Sequence, residues 1–145
     1  MRIAQQLYEG VDIIGKGTTG LITYMRTDGY SVSATIQDAI KTEICKLFGP
    51  ECVPEVPNVY GNKVKNAQEA HEPIRPTDIT RTEITEDLPE PMLKLYDLIW
   101  RRFIASQMAP ARLERTTLTF VPEQLPKPTQ HQYRFVVSSQ KPIFK

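Results

Sequence analysis

The sequence predicts a mainly helical α+β fold. Three segments place apolar residues at helical spacing, and the strongest carries Leu95, Tyr96, Ile99, Trp100, Phe103 and Ile104 as a broad stripe. After Pro110 the period changes, and RTTLTFV (115–121) and QYRFVV (132–137) read as strands. Helices first and strands last argue for α+β, not for an alternating parallel-sheet architecture. At 145 residues the chain is of ordinary domain size, able to bury roughly 68–70% of the surface its unfolded form exposes.

Each element has its own warrant. Ile3, Ala4 and Leu7 mark a helix over residues 1–9 that Gly10 can stop. GKGTTG (15–20) is a flexible loop by composition. LITYM (21–25) is a short β-prone run, followed by a turn at Thr27-Asp28-Gly29. A second helix starts from Ser31 or Ser33 as N-cap, carries Val32, Ile36, Ile40, Ile44 and Phe48 on one face, and ends at Gly49-Pro50. Pro50, Pro54 and Pro57 make 50–62 irregular, and a short helix over 65–72 is stopped by Pro73 and Pro76. The longest helix lies between Asp87, its expected cap, and Met108, with Pro89 and Pro91 suited to its first turn. Pro122, Pro126 and Pro128 fill the link between the last two strands. An isolated hairpin is marginally stable in water, so those strands are expected to lack partners, as at a cut.

Composition narrows the function classes. Charge nearly cancels, with 18 basic and 17 acidic residues, and apolar residues are spread along the chain, which argues against disorder. No apolar run approaches the ~18 residues of a membrane span, and the polar N-terminus MRIAQQLYEGVD is unlike a secretory signal. Cys45 and Cys52 are too few for a disulfide scaffold or a four-ligand zinc site and suggest a reducing compartment. The chain thus reads as soluble and cytoplasmic. Net charge runs from −2 over residues 1–60, through 0 over 61–120, to +3 over 121–145. A nucleic-acid role would have to rest on locally placed Arg and Lys, not on bulk field.

Most motif-like features are explained by structure alone. Gly10-x4-Gly15-Lys16 resembles a phosphate-binding loop, but Gly17 stands where Mg²⁺ chemistry needs Ser or Thr, and the preceding segment reads as a helix. His71 and His131 lie 60 positions apart, neither with a second ligand at metal spacing, and no metal site is expected within the chain. Thr23-Tyr24-Met25-Arg26-Thr27-Asp28 is different. On an extended segment Tyr24 and Arg26 share a face. An Arg there can fork a phosphate while the phenolic oxygen approaches phosphorus, a pairing suited to phosphodiester transesterification. A phenol is a poor nucleophile until activated, and spacing alone equally fits a Tyr packed at a strand end beside a surface Arg. In QEAHEPIRP (68–76), His71 and a Pro-stiffened Arg75 can both donate to phosphate oxygens; the plain alternative is a charged, solvated helix end.

Taken together, QQLYEGVD (5–12), GLITYMRTD (20–28), AQEAHEPIRPTD (67–78), LYDLIWRRFIASQMAPA (95–111) and ERTTLTF (114–120) resemble blocks of the type IA DNA topoisomerases, in order and in spacing. Met25 places the resemblance on the bacterial topoisomerase I branch, not with relatives that carry Pro after the Tyr.

The resemblance implies roles. Tyr24 matches the nucleophile that attacks a DNA phosphodiester and holds the 5′ end as a phosphotyrosine, and Arg26 matches the residue that steadies the scissile phosphate. His71 and Arg75 match a family motif near the DNA path. Residues 1–112 would form a winged-helix-like, mainly helical Tyr domain, and residues 113–145 the first strands of an arch domain. The complete enzyme would act on single-stranded DNA in the bacterial cytoplasm and nucleoid, and would use Mg²⁺ held by an acidic domain. That domain has no counterpart here, so the chain is expected to be a fragment, or one part of a split enzyme, and inactive alone. A non-catalytic single-stranded-DNA-binding or interaction module on the same fold is the alternative. Gly29 stands where the family usually has Ser and Pro73 where it has Ala, and both changes fall beside the expected site.

Overall fold

The computed structural model describes residues 1–13, 15–61, 71–82, 84, 88–123 and 133–143. These fall into two units, Met1–Ala109 and Pro110–Lys145. The architecture is α+β, with three helices and two small antiparallel sheets among the described residues.

In the first unit, α1 (Arg2–Glu9) buries Leu7 and ends where Gly10, at φ 125°, takes a conformation that side-chain-bearing residues avoid. The stretch expected to be a loop is instead a tight hairpin. Here β1 (Val11–Ile13) pairs with β2 (Gly17–Thr19) in the register Val11↔Thr19 and Ile13↔Gly17. Gly15 and Gly17 supply the positive φ that its turn needs. Composition suggested flexibility because glycine is common to both outcomes; Val11 and Ile13, turned inward, decide for a hairpin.

Helix α2 (Ala34–Phe48) has Ser33 at its N-cap and Gly49 at its C-cap, close to expectation. Ile40 and Ile44 are buried and Val32 and Ile36 partly so, whereas Phe48 at the end of that stripe is exposed. A single 3-10 turn (Pro50–Cys52) follows. Most of the helix expected over 65–72 lies outside the described residues, as do Asp87 and most of the Pro-rich link between the last strands.

Helix α3 (Glu90–Gln107) is the spine of the unit. Its N-cap is Pro89, and Pro91 sits in the first turn, where a missing N–H costs nothing. Met92, Tyr96, Trp100, Phe103, Ile104 and Gln107 form the buried stripe, and α1 and α2 both pack against this helix. Two of its rings hold the incoming chain. Trp100 Nε1 donates to Ile79 O at 3.0 Å and Tyr96 OH to Arg81 O at 2.8 Å. At the far end, Asn58 Nδ2 donates to Ser106 O and Met108 O, both at 2.9 Å, and Tyr60 OH to Ser106 O at 2.7 Å. These donors satisfy carbonyls that a helix C-terminus leaves without intrahelical partners.

The second unit is a hairpin. β3 (Leu113–Phe120) and β4 (Phe135–Pro142) pair along their whole length, from Leu113↔Pro142 to Phe120↔Phe135, and every residue of both strands is exposed. The second strand starts three residues later than the sequence reading placed it. No described helix is long and apolar enough to cross a membrane.

Candidate active site

Leu21, Ile22 and Thr23 are buried in succession, and the chain surfaces at Tyr24, which is 38% exposed. LITYM is therefore not a strand of a regular sheet. It is an extended segment with one bridge, Ile22↔Pro76, stitched to its neighbours by individual hydrogen bonds. Leu21 N donates to Leu7 O at 2.7 Å, which ties it to the last turn of α1. Thr23 N donates to Arg75 O at 2.9 Å, Thr77 N to Leu21 O at 3.0 Å, and Thr77 Oγ1 to Gly20 O at 2.7 Å.

Thr23 is the knot of this arrangement. Its hydroxyl donates to Pro73 O at 2.8 Å and accepts from Arg75 N at 2.9 Å, so one buried side chain satisfies two backbone groups of the Pro73–Arg75 turn. The residue next to Tyr24 thereby joins segments 50 positions apart. Sequence reasoning passed over it because a Thr in a β-prone run is the commonplace choice.

The structure brings His71 to Tyr24 and treats Arg75 differently from expectation. The His71 ring lies 5.2 Å from that of Tyr24, centre to centre, and Tyr8 of α1 lies 5.2 Å away as well. His71 Nδ1 faces Asp28 Oδ1 at 3.3 Å, an ion-pair distance without hydrogen-bond alignment, with both atoms buried. Arg75 is only 11% exposed. Its Nε and Nη2 both lie 2.9 Å from Glu72 Oε2, and its Nη1 donates to Pro76 O at 2.8 Å. Its guanidinium is thus largely spent on holding the turn. Arg26 is exposed and makes no hydrogen bond or ion pair among the described residues, so its charge is directed to solvent.

Gly29 and Pro73 both lie at this site. Gly29 is buried against the His71–Glu72 backbone, and a side chain there would overlap the His71 carbonyl oxygen. Pro73 lends its carbonyl to Thr23. The glycine thus lets the His71 turn close onto the Asp28 turn.

Two other candidates resolve as structural. Gly10 caps α1, and Gly15 and Lys16 belong to the turn of the β1–β2 hairpin, where Lys16 N donates to Ile13 O at 3.0 Å. No three His, Cys, Asp or Glu side chains gather to hold a metal among the described residues, and Asp28 and Glu72 already face His71 and Arg75. Mg²⁺ does not fit this donor set. Beside the site a cavity of about 630 Å³ is lined mainly by apolar groups, including Met25, Ile74, Leu95, Ile99 and Phe103.

Comparison with known proteins decides the family. The model of the DNA topoisomerase family matches residues 1–144. The chain belongs to the bacterial DNA topoisomerase I family. It is 50% identical over 125 residues to DNA topoisomerase 1 of Rickettsia bellii, covering 85% of this chain and 16% of that protein. Against DNA topoisomerase 1 of Xylella fastidiosa it is 46% identical over 120 residues, 81% of this chain and 15% of the other. Full-length topoisomerase I from Thermotoga maritima superimposes on it with a TM-score of 0.72 and 38% identity, over 99% of this chain and 21% of that one. The chain thus spans about a sixth of these curated relatives and a fifth of the solved one.

Proposed function

We propose that this chain is the nucleophile-bearing part of a type IA DNA topoisomerase and that Tyr24 attacks a backbone phosphodiester of single-stranded DNA. The phenolic oxygen forms a bond to phosphorus and loses its proton; the P–O3′ bond breaks and the leaving 3′ oxygen gains one. The 5′ end remains on Tyr24 as a phosphotyrosine. Because one phosphodiester is exchanged for another, resealing is the reverse step and needs no nucleotide, and cycles of cleavage and resealing relax supercoils. The observation that carries this reading is Tyr24 itself, a partly exposed phenol leaving a buried segment that two neighbouring stretches, the end of α1 and residues 73–77, hold in place.

Arg26, two positions on with its charge in solvent, is assigned to the scissile phosphate, where a guanidinium can stabilise charge that grows in the transition state. His71 lies beside the Tyr24 ring on the proposed DNA path. Arg75 joins that path by exchanging Glu72 for a backbone phosphate. Residues 1–112 are assigned to the winged-helix-like Tyr domain and 113–145 to the first strands of the arch. We place Mg²⁺ and its acidic domain on sequence outside this chain, in a cytoplasmic, nucleoid-associated bacterial enzyme.

The test is complementation. Mixed with a polypeptide carrying the acidic and arch domains, plus Mg²⁺ and a single-stranded oligonucleotide, the chain should form a covalent adduct on the 5′ side of the break. Tyr24→Phe should abolish the adduct and leave oligonucleotide binding nearly intact, and Arg26→Ala should slow it without moving the attachment site. An adduct that persists in Tyr24→Phe and maps to Tyr8, Tyr30 or Tyr60 would overturn the assignment. Binding that survives with no adduct under any complementation would favour the non-catalytic DNA-binding module instead.

A further inference from the structure

Two rings from separate elements border Tyr24. The Tyr8 ring comes from the last turn of α1, with centroids 5.2 Å apart and planes at 56°; the His71 ring stands at the same distance at 44°. Both are tilted contacts at the separation aromatic pairs prefer. Neither follows from sequence proximity, since Tyr8 is sixteen positions before Tyr24 and His71 forty-seven after it.

Each contact is reached through a glycine. On the Tyr8 side, a Cβ at Gly20 would lie 2.6 Å from the Tyr8 carbonyl oxygen, and the adjoining hydrogen bond from Leu21 N to Leu7 O measures 2.7 Å. The end of α1 therefore approaches the Tyr24 segment only because residue 20 has no side chain. On the other side Gly29 plays the same part for the His71 backbone. Backbone hydrogen bonds fix the chain up to Thr23, but they leave the Tyr24 side chain free to rotate, and no described residue hydrogen-bonds its hydroxyl. What limits that rotation is ring contact. An exposed, unrestrained phenol would lose rotamer freedom on every approach to a phosphate, and a ring already in place has paid that entropy during folding.

From this arrangement we propose that Tyr8 is a positioning residue for Tyr24, its ring holding the phenol in one rotamer through the close approach that Gly20 permits. The proposal rests on the reading of Tyr24 as the nucleophile. It concerns the ring of Tyr8 and not its hydroxyl, because no described residue hydrogen-bonds that hydroxyl and the contact recorded is the tilted one between the two rings.

The test has one arm that does not depend on chemistry. In the full chain, the ring protons of Tyr24, assigned by NMR through their loss in Tyr24→Phe, should show ring-current shifts. Tyr8→Leu should reduce those shifts, whereas Tyr8→Phe should keep them. Tyr8→Gln, which retains helix propensity, gives the same reading if Tyr8→Leu fails to fold. In the complemented adduct assay, Tyr8→Leu should lower the rate of adduct formation by roughly 3–10-fold, the range an aromatic pair supports. It should leave the oligonucleotide Kd within about twofold, and Tyr8→Phe should restore the parent rate. Gly20→Ala, which displaces the end of α1, should lower the rate as Tyr8→Leu does. Unchanged Tyr24 shifts in Tyr8→Leu, or an unchanged adduct rate once those shifts are lost, would overturn the proposal. An equal defect in Tyr8→Phe would overturn it as well. Failure of the nucleophile assignment reads out separately, as an adduct mapped to another Tyr while the ring-current arm still holds.

Discussion

The two units of this chain differ in what their apolar residues touch. In Met1–Ala109, Leu7, Ile22, Ile40, Ile44, Tyr96 and Ile104 are all at 2% exposure or less and belong to one continuous core. In Pro110–Lys145, Leu118, Phe120, Phe135 and Val137 share a face of the hairpin, since strand alternation and the register Leu118↔Val137 and Phe120↔Phe135 put them together, yet each is more than half exposed. Both units pair strands through backbone hydrogen bonds. Only the first also removes apolar surface from water, at about 25 cal/mol for each Å². A complete ladder therefore does not amount to a core, and the stability of the chain should reside almost wholly in its first unit.

The strongest way to break that contrast is to open a hole in the first core. Phe103 lies one turn from Trp100 at 5% exposure, and Phe103→Ala should cost about 3–5 kcal/mol, measured by urea unfolding. An unchanged midpoint would mean the helix stripe is not where the stability lies. The next effect is alkaline. Burial pushes the Tyr96 phenol up to about 12 from 10.0, while its hydroxyl donates to Arg81 O. A group whose folded value is raised contributes fully below its unfolded value, so the unfolding free energy should hold below pH 10 and then fall by at most about 2–3 kcal/mol as pH rises through 12. Tyr96→Phe should flatten that limb. At the acid end the sign reverses. Hydrogen bonds from Thr80 hold the Asp78 carboxyl below its ordinary value, so its smaller contribution is present above that value and is lost as pH falls through the lowered one.

Thr23→Val sharpens the comparison at the site itself. The swap keeps the shape but strands Pro73 O and Arg75 N, and should cost about 1–3 kcal/mol. Hydrogen exchange at Arg75 should accelerate more than at Ile44. The smallest effect belongs to the second unit. Leu118→Ala should shift the main unfolding transition by no more than about 0.5 kcal/mol, and hairpin amides should exchange faster than those of α3. A hairpin substitution as costly as Phe103→Ala would erase the distinction.

Helix boundaries were the most legible feature of the chain. Gly10 and Gly49 stop α1 and α2 where a reading of glycine predicts, and the α3 stripe is the one its period describes, because caps and 3.6-residue spacing are local properties. The β1–β2 hairpin was not legible, since GKGTTG has the composition of a loop and its strands are three residues long. At the site, the order of the blocks pointed to Tyr24 and His71, which the fold brings together. Asp28, Thr23 and Tyr8 were missed because a short acid, a Thr and a Tyr carry no spacing signal of their own, and each matters only through a neighbour far along the chain.

By itself the sequence determined the family, the helices and the residue types available for phosphate chemistry, because periodicity, caps and long ordered motifs are written along one dimension. Tertiary structure alone decided how those residues are employed. It set Arg26 in solvent but turned Arg75 inward onto Glu72 and Pro76, although both arginines read alike in the sequence. The reason is electrostatic and geometric. A guanidinium facing water can stay unpaired at little cost, whereas one at 11% exposure must satisfy its donors within the fold, and which of these applies depends on what the folded chain places against it.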